Sequence, residues 1–490
     1  MEIMNAMKEN AKIRLKDYEK KIEEIQKRGD EKSKKEEKEP KENAPPKETP
    51  SESEAKPPKQ ITEKEKREFL NQIRNLKKTQ ELIKMGEIPG FERDFKFWST
   101  QPVPQFKKPA NVEFGPILND NNIENIPKEP YTLPEGFEWK DIDLNQVSDV
   151  DKLYEFLKSN YIGDESHLFG TDYSKDFLKW FLSPPEMYKD WLVSVVKEDK
   201  VKNKKKIIGF ISAIPTKLCI NNTEVKMAKV SFLCVKKEFR NKRLTPVLIK
   251  EITRRINLKN IWQGVYKTFY FLPKAFTKSQ YHYRSINLKK LLDVQYTYLP
   301  NNKMSLGNAL KKYELPDEPK ISGFRKMEEK DLDQIYNLIL ERNKKYKIYE
   351  VLNKNEVEHW FLPRNNIVYT YVLEDEEHKI TDFCSFYSIQ RTILNQDKNG
   401  DNPASKYKKI NFAFELINYN TSISMKELLR SAVILAKQNN FDAYHCIDYK
   451  ENADNFKELL FMEKIGKMKY YLYNFVVPET PIDDFSLMFI

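Results

Sequence analysis

A loop rich in basic residues follows an apolar segment of the sequence and precedes the start of a helix. The apolar segment is 225–235, and Pro246 stands early in the helix, where its missing N–H is not needed. Lysine and arginine beside the free N–H groups of a helix amino terminus favour anions such as a pyrophosphate. The basic residues are Lys236, Lys237, Arg240, Lys242 and Arg243. Without a glycine-rich pattern, this spacing does not by itself distinguish an anion site from a solvated loop.

The carboxyl end of the chain is a second candidate for chemistry. Residues 485–490 are apolar except for Ser486, and the last residue is Ile490. Chain ends usually fray into solvent, so an apolar end predicts a segment that is buried together with its carboxylate. A desolvated carboxylate beside a substrate is a general base that needs neither histidine nor cysteine. A final β-strand that closes a sheet is the alternative interpretation.

Histidine and cysteine are too sparse to predict a metal centre. The 490 residues include five histidines and four cysteines, and the cysteines show no paired ligand spacing. We therefore expect no metal site and reduced thiols. No apolar run is long enough to span a bilayer, and the amino terminus lacks the apolar stretch of a signal peptide. The formal net charge of +11 favours acidic partners such as nucleic acid, a ribosome, a membrane surface or a polyanionic cofactor.

Composition and periodicity divide the chain into a charged extension and two α/β halves. Residues 1–89 are rich in Lys, Glu and Pro, which predicts a largely disordered extension, with ribosome contact as one role for it. Residues 150–161 have the period of an amphipathic helix, and buried strands follow. A similar order of helix and strands recurs later. We predict one half at 90–315 and the other at 316–490.

Longer segments resemble the glycylpeptide N-tetradecanoyltransferase (N-myristoyltransferase) family over residues 90–490. The resemblance implies an acetyltransferase-like α/β fold, with two fused halves that form a saddle-shaped mixed sheet flanked by helices. The segments that carry it are Phe97-Trp-Ser-Thr-Gln-Pro-Val-Pro, Glu129-Pro-Tyr-Thr-Leu-Pro-Glu-Gly-Phe-Glu-Trp, Gly209-Phe-Ile-Ser-Ala-Ile-Pro, Phe232-Leu-Cys-Val, Leu244-Thr-Pro-Val-Leu-Ile-Lys-Glu-Ile-Thr-Arg-Arg, Tyr281-His-Tyr-Arg-Ser-Ile-Asn, Glu356-Val-Glu-His-Trp-Phe and Tyr470-Tyr-Leu-Tyr-Asn.

The resemblance implies that the first half binds acyl-CoA. The backbone N–H groups of Phe232 and Leu233 would form the oxyanion hole for the thioester, and the carboxylate of Ile490 would accept a proton from the substrate ammonium. Residues 241–245 would bind the CoA phosphates. The implied acyl-CoA residues are Lys96, Phe97, Trp98, Phe232, Leu233, Cys234, Val235, Asn241, Lys242, Arg243, Leu244 and Thr245.

The second half is implied to supply most of the peptide groove, and there the sequence departs from the family. After Tyr266 the family has Thr, a small residue and Gly, whereas this chain has Lys267, Thr268 and Phe269. Tyr283 and Arg391 are further departures. The implied peptide-binding residues are Asp164, Glu165, Phe169, Tyr173, Tyr266, Lys267, Tyr283 and Asp448.

The resulting hypothesis is a transferase that moves myristate from myristoyl-CoA to the amino-terminal glycine of nascent or mature proteins. Myristoyl-CoA is the co-substrate, and we expect no other cofactor. The altered groove leaves two alternatives: a catalytically impaired acyl-CoA-binding protein, or an acyltransferase with another amine acceptor. The implied catalytic groups belong to the main chain, which side-chain substitutions do not delete, and this favours activity. We expect a cytoplasmic monomer with neither DNA binding nor a transmembrane segment.

Overall fold

A computed structural model describes residues 95–105, 114–119, 121–161, 168–199, 204–299, 304–394 and 403–489. The predicted amino-terminal extension lies outside the described residues. So do three predicted site residues: Asp164, Glu165 and Ile490.

The described residues form one mixed sheet of fifteen strands. The main path across it runs β1-β3-β4-β5-β6-β14-β7-β13-β12-β11-β10-β8, while β2 pairs with β11, and β9 pairs with β4 and β15. The strands are β1 Phe137–Asp141, β2 Phe169–Asp172, β3 Leu192–Asp199, β4 Lys204–Ile220, β5 Thr223–Val235, β6 Gln263–Thr268, β7 Thr277–Ser285, β8 Arg325–Lys326, β9 Ile348–Glu350, β10 Val368–Glu374, β11 Ile380–Ile393, β12 Lys409–Tyr419, β13 Ala443–Ile447, β14 Met462–Tyr473 and β15 Phe485–Ser486.

Nine α-helices occur in the same parts of the chain. They are α1 Val147–Asn160, α2 Lys175–Leu182, α3 Leu244–Asn257, α4 Leu288–Asp293, α5 Leu306–Tyr313, α6 Leu332–Asn343, α7 Lys354–Phe361, α8 Met425–Gln438 and α9 Lys450–Phe456. The helix predicted at 150–161 is α1, and on its predicted apolar face Val150, Leu153 and Leu157 are buried. None of the described helices combines the length and the apolar character that crossing a bilayer requires.

A strand–helix–strand pattern occurs once in each half of the sheet. Strands β5 and β6 pair in parallel and are connected through α3, and strands β12 and β13 pair in parallel and are connected through α8. A parallel pair needs such a crossover connection. Strand β14 lies between β6 and β7, and β7 lies between β14 and β13. Strands from before and after residue 315 therefore alternate at the centre of the sheet.

Candidate active site

Strand β5 is irregular at Phe232 and Leu233. Its pairing with β4 slips by one residue, so that these two residues face Ile211 alone. Phe232 has a φ of 53°, a left-handed conformation that is rare for an aromatic residue. A bulge of this kind takes its extra residue out of the hydrogen-bond ladder and re-aims the local backbone. The two amides that the resemblance assigns to an oxyanion hole therefore lie where the ladder is interrupted.

Aromatic rings surround Phe232. The ring centroids of Tyr161, Tyr173 and Phe181 lie 5.3, 5.2 and 5.3 Å from its own. Burial raises the pKa of Tyr161 well above its usual value, although a hydrogen bond with the Phe232 backbone acts in the opposite direction. Burial also raises the pKa of Tyr173 to about 12. Both hydroxyls are therefore neutral near pH 7, and the space beside the bulge is lined by rings and uncharged polar groups.

The basic loop after β5 leads directly into helix α3. Asn241 and Arg243 have φ values of 68° and 60°, and Arg243 immediately precedes the helix. The side chains of Asn241, Lys242, Arg243 and Thr245 are exposed. The first turn of a helix has free N–H groups that attract anions. The loop thus presents cations and amide donors together, which is the arrangement that the sequence predicts for phosphate groups.

Contacts with the end of helix α1 fix the start of this loop. The Arg240 guanidinium donates to the Asn160 carbonyl at 2.5 Å and to the Val235 carbonyl at 3.2 Å. The Lys237 N–H donates to Asn160 Oδ1 at 3.2 Å. Cys234, just before the loop, is buried, and burial raises the pKa of its thiol to about 12. That thiol is therefore a packing group and not a nucleophile.

Helix α3 approaches strand β4 closely at Gly209. A Cβ atom at this position would lie 2.9 Å from Leu248 Cδ1 and 3.2 Å from Leu244 Cδ2. Gly209→Ala is therefore expected to push the buried Leu248 and Leu244 side chains of helix α3 out of their packing and to destabilise the protein by about 1–3 kcal/mol, measured by denaturant unfolding. Gly307→Ala is the matched control, because a Cβ there meets nothing within 4 Å. Equal stability of the two variants would contradict the close packing of α3.

The carboxyl-terminal segment, residues 485–489, is buried as predicted. Phe485, Leu487, Met488 and Phe489 are all less than 10% exposed, at 0%, 7%, 6% and 8%. Strand β15 at its start pairs in parallel with β9. The prediction of a chain end inside the core is thus confirmed as far as Phe489.

A buried ion pair binds this segment. Lys229 Nζ lies 2.5 Å from Glu350 Oε1 and donates to the Met488 carbonyl at 2.8 Å. The other carboxylate oxygen of Glu350 accepts from the Met488 N–H at 3.2 Å, and the Thr216 hydroxyl donates to Oε1 at 2.7 Å. The sequence does not predict this cluster, although Lys229 stands inside the apolar segment 225–235.

Two further basic side chains bind the same segment. Lys267 Nζ, on β6, donates to the Phe489 carbonyl at 2.7 Å. Arg342 Nη1, on α6, donates to the Ser486 hydroxyl at 2.6 Å. Burial, with a smaller effect of the nearby Lys229 ammonium, lowers the pKa of Lys267 to about 7. Lys267 was predicted to bind peptide, and its partner among the described residues is the end of the chain itself.

The structure brings some of the predicted acyl-CoA and peptide residues together. The Tyr266 ring stacks between Trp98 and Tyr471, at centroid distances of 5.6 and 5.3 Å. Phe97 packs edge-on against Trp98 at 5.2 Å. Lys96 is exposed beside them. The segment that precedes the first half of the sheet therefore docks on β6 and β14.

Other predicted peptide residues already have partners within the chain. Tyr283 is buried, and its hydroxyl hydrogen bonds to Thr297 at 2.9 Å. Phe169 is buried in an apolar cluster. Asp448 Oδ1 accepts from the Gln280 N–H at 2.7 Å, and burial raises the pKa of this carboxyl. Their roles in peptide binding stay predictions.

Tyrosines contact both the β5 bulge and the carboxyl-terminal segment. The ring centroid of Tyr173 lies 5.2 Å from that of Phe232, and the ring centroid of Tyr470 lies 5.9 Å from that of Phe489. Burial raises the pKa of Tyr281, on β7, well above its usual value, and neighbouring tyrosines add to that effect. Of these three tyrosines only Tyr173 is a predicted site residue, because tyrosines from β7 and β14 share no sequence spacing.

Two family models match the sequence. The one described as myristoyl-CoA:protein N-myristoyltransferase, N-terminal domain, matches residues 116–279, and its C-terminal counterpart matches residues 293–484. The chain belongs to this family. A glycylpeptide N-tetradecanoyltransferase of Plasmodium falciparum is 41% identical over 382 residues, which is 78% of this chain and 90% of that protein.

Further relatives agree with this N-myristoyltransferase assignment. Glycylpeptide N-tetradecanoyltransferase 1 of Arabidopsis thaliana is 40% identical over 383 residues, covering 78% of this chain and 85% of that protein. The crystal structure of the Saccharomyces cerevisiae N-myristoyltransferase with bound myristoyl-CoA matches with a TM-score of 0.73 and 32% identity, covering 79% of this chain and 94% of the yeast chain. The predicted family and the predicted mixed α/β fold with a helix-flanked sheet are confirmed.

Proposed function

We propose that this chain transfers the myristoyl group of myristoyl-CoA to the amino-terminal glycine of protein substrates. Membership of the family supports this enzyme class, since the relatives carry the name of this transferase and the yeast structure holds myristoyl-CoA. The observation that carries the residue-level mechanism is the burial of residues 485–489, which bring the proposed base into the core of the sheet that contains the β5 bulge.

The acyl donor occupies the first half of the sheet. Residues 241–245 bind the CoA phosphates through their side chains and through the free N–H groups of helix α3. The thioester carbonyl accepts hydrogen bonds from the amides of Phe232 and Leu233. Charge builds on that oxygen during attack, and each fixed donor there lowers the barrier by roughly 2.7–4 kcal/mol.

The glycine amine reacts only after it loses a proton. A free α-amino group has a pKa of about 7.7–8.0, so it is mostly an ammonium at neutral pH. The carboxylate of Ile490 accepts this proton. The amine nitrogen then bonds to the thioester carbon, the C–S bond breaks, and the second proton lost by nitrogen leaves with CoA as its thiol. The products are the amide, CoA and one proton released to solvent.

Two substitutions that favour an impaired protein have other roles in the structure. The Lys267 amine donates to the Phe489 carbonyl, and the Phe269 ring packs on the apolar cluster that contains Phe485, Leu487 and Phe489. Lys267 therefore contacts the segment that carries the proposed base, and Phe269 belongs to the core around that segment. This supports an active enzyme with an altered groove over a non-catalytic descendant.

The test is CoA release from myristoyl-CoA by protein with an unmodified carboxyl terminus. We expect release that depends on peptides with an amino-terminal glycine and none with the matched alanine peptides. Release with a lysine-containing peptide whose amino terminus is blocked would identify a different acceptor. Tight binding of myristoyl-CoA without release for any glycine peptide would contradict the proposed activity.

We also propose that the boundary between the two halves lies at residue 315 and that the protein is a cytoplasmic monomer. The amino-terminal extension contacts the ribosome. The positive net charge of +11 supports an acidic partner of this kind. Sedimentation of the full chain with ribosomes, compared with a chain that begins at residue 90, tests the ribosome contact.

A further inference from the structure

Strand β11 presents an arginine on the side of the sheet where the β5 bulge lies. Successive residues of a strand face opposite sides of its sheet. Phe386 belongs to the apolar cluster under helix α8, whereas Tyr387 belongs to the cluster that contains Phe232 of the bulge. Arg391 follows Tyr387 by four residues in an unbroken part of the β11–β12 ladder, so it faces the same side as Tyr387.

Three of the predicted peptide-binding residues lie around Arg391. In the pairing of β2 with β11, Phe169 is two residues from the partner of Arg391. Burial raises the pKa of Tyr173, and the positive charge of Arg391 opposes that effect. Burial lowers the pKa of His445 well below its usual value, and nearby cations, Arg391 among them, add to that effect. His445 in turn stacks on Tyr283, with ring centroids 5.6 Å apart. Arg391 therefore lies within the predicted peptide groove.

The floor of this groove is aromatic and partly accessible. Tyr281 on β7 and Phe414 on β12 contact each other, with ring centroids 6.0 Å apart, and Tyr387 lies 5.6 Å from Phe414. Tyr173, Tyr281 and Phe414 are only half-buried, although β7 and β12 both have neighbouring strands on each side. Accessible rings inside a sheet form the kind of apolar surface on which a ligand binds. We therefore expect the acceptor peptide to lie on these rings.

The charge of Arg391 is not balanced by the residues that the structure describes. Its guanidinium is half-buried and lies over the Phe412 ring, 6.0 Å from Cζ to the centroid, and it forms neither a hydrogen bond nor an ion pair with another described residue. Two carboxylates of the same region are already bound: Asp172 pairs with Lys409 at 3.1 Å, and Asp448 accepts from a backbone N–H at 2.7 Å. Arginine keeps its charge in proteins and carries five N–H donors in a planar fork that matches a carboxylate. These donors are available to an anion from outside the described chain.

We propose that Arg391 selects acceptor proteins that carry an acidic side chain a few residues after their amino-terminal glycine. The inference rests on the proposed transfer to glycine and names the substrate class. The amine reacts beside the β5 bulge, and the substrate chain that follows it runs over the aromatic floor to Arg391. The guanidinium donates two hydrogen bonds to an Asp or Glu carboxylate of that chain, and it repels a lysine at the same position. Because Arg391 departs from the family resemblance, this preference distinguishes the chain from its relatives.

The experiment uses peptides with an amino-terminal glycine and a single aspartate at each position from the third to the eighth. Each is compared with the same peptide that has asparagine or lysine there. At one position we expect kcat/KM for CoA release to be about 10- to 100-fold higher with aspartate than with asparagine, because the hydrogen bonds to Arg391 are charge-assisted. Lysine should be the poorest of the three. A series without any aspartate preference would overturn the inference.

Variants of Arg391 assign the preference to its guanidinium. Arg391→Met removes the charge and should abolish the aspartate preference, and Arg391→Glu should reverse it in favour of lysine. Arg430→Met is the control, because Arg430 is an exposed arginine of helix α8, on the other side of the sheet; it should keep the preference. The melting temperature and the Kd of myristoyl-CoA should change little in Arg391→Met, because the guanidinium binds no other described residue. An aspartate preference that persists in Arg391→Met would contradict the assignment.

Peptide binding without turnover separates this inference from the proposed function. The same peptides are titrated into enzyme that is loaded with a non-cleavable thioether analogue of myristoyl-CoA. A lower Kd for the aspartate peptide than for the asparagine peptide, lost in Arg391→Met, supports the role of Arg391 through the coupling of the two changes. If that coupling is present but neither peptide is acylated by myristoyl-CoA, the proposed transfer is wrong and the anion site stands. If both peptides are acylated equally and bind equally, transfer to glycine stands and the inference is wrong.

Discussion

Protein extended by a few residues beyond Ile490 is expected to bind myristoyl-CoA normally and to lose its transferase activity. Extension converts the terminal carboxylate into a neutral peptide group and moves the new carboxylate away from residues 485–489, which are buried. Loss of a positioned general base costs about 10²–10⁴-fold in rate. The affinity for myristoyl-CoA should be unaffected, because residues 241–245 and the β5 bulge belong to other strands and loops.

Single-turnover CoA release measures the transferase reaction, and equilibrium binding of myristoyl-CoA measures the acyl-CoA site. The control carries the same added residues before Met1, so that it differs from the test protein only in which end is extended. It should retain full activity. An extended carboxyl terminus that supports the full rate would show that the terminal carboxylate is not the base.

Local elements of the fold were predictable because their apolar residues repeat with the period of a helix or fill a buried strand. Helix α1 covers the predicted segment 150–161 almost completely. Helix α3 begins at Leu244, two residues before Pro246. The N–H groups in the first turn of a helix have no partner within the helix, so proline fits at any position of that turn. It therefore locates the start of a helix only to within a few residues.

The bulge in β5 was not predictable from local sequence. Phenylalanine disfavours positive φ, and yet Phe232 has a φ of 53°. The rings of Tyr161, Tyr173 and Phe181 pack against the Phe232 ring. Tertiary contacts from α2 and from the chain between α1 and α2 therefore fix a conformation that the residue type alone opposes.

Contacts over long sequence separations account for the other functional features that were missed. Lys229 and Glu350 are 121 residues apart, and Lys267 and Phe489 are 222 residues apart. No periodic pattern connects such pairs, and the sheet order that brings them together interleaves strands of the two halves. The apolar carboxyl end indicated burial, but it carried no information about which side chains bind it.

Glu350→Gln is expected to be the most destabilising single change near this site. It leaves the Lys229 ammonium, which is 3% exposed, without its charge partner and weakens the acceptor for the Met488 N–H. Removing one partner of a buried pair typically costs about 3–5 kcal/mol. Denaturant unfolding should register this loss, and turnover should fall with it, because residues 485–489 lose the carboxylate that binds their backbone.

The matched control for Glu350→Gln is Glu224→Gln, which breaks an exposed pair between strands β4 and β5. Glu224 lies 3.1 Å from Lys217, and both side chains are largely solvent-accessible. Exposed pairs contribute little, so this variant should unfold like the parent.

The double change Lys229→Met with Glu350→Leu then separates charge from packing. It should recover much of the stability, because no buried charge is left unpaired, and yet it should not recover turnover, because neither replacement hydrogen bonds to Met488. If stability and turnover return together, the cluster serves the core alone, and the position of the chain end must depend on Lys267 and Arg342.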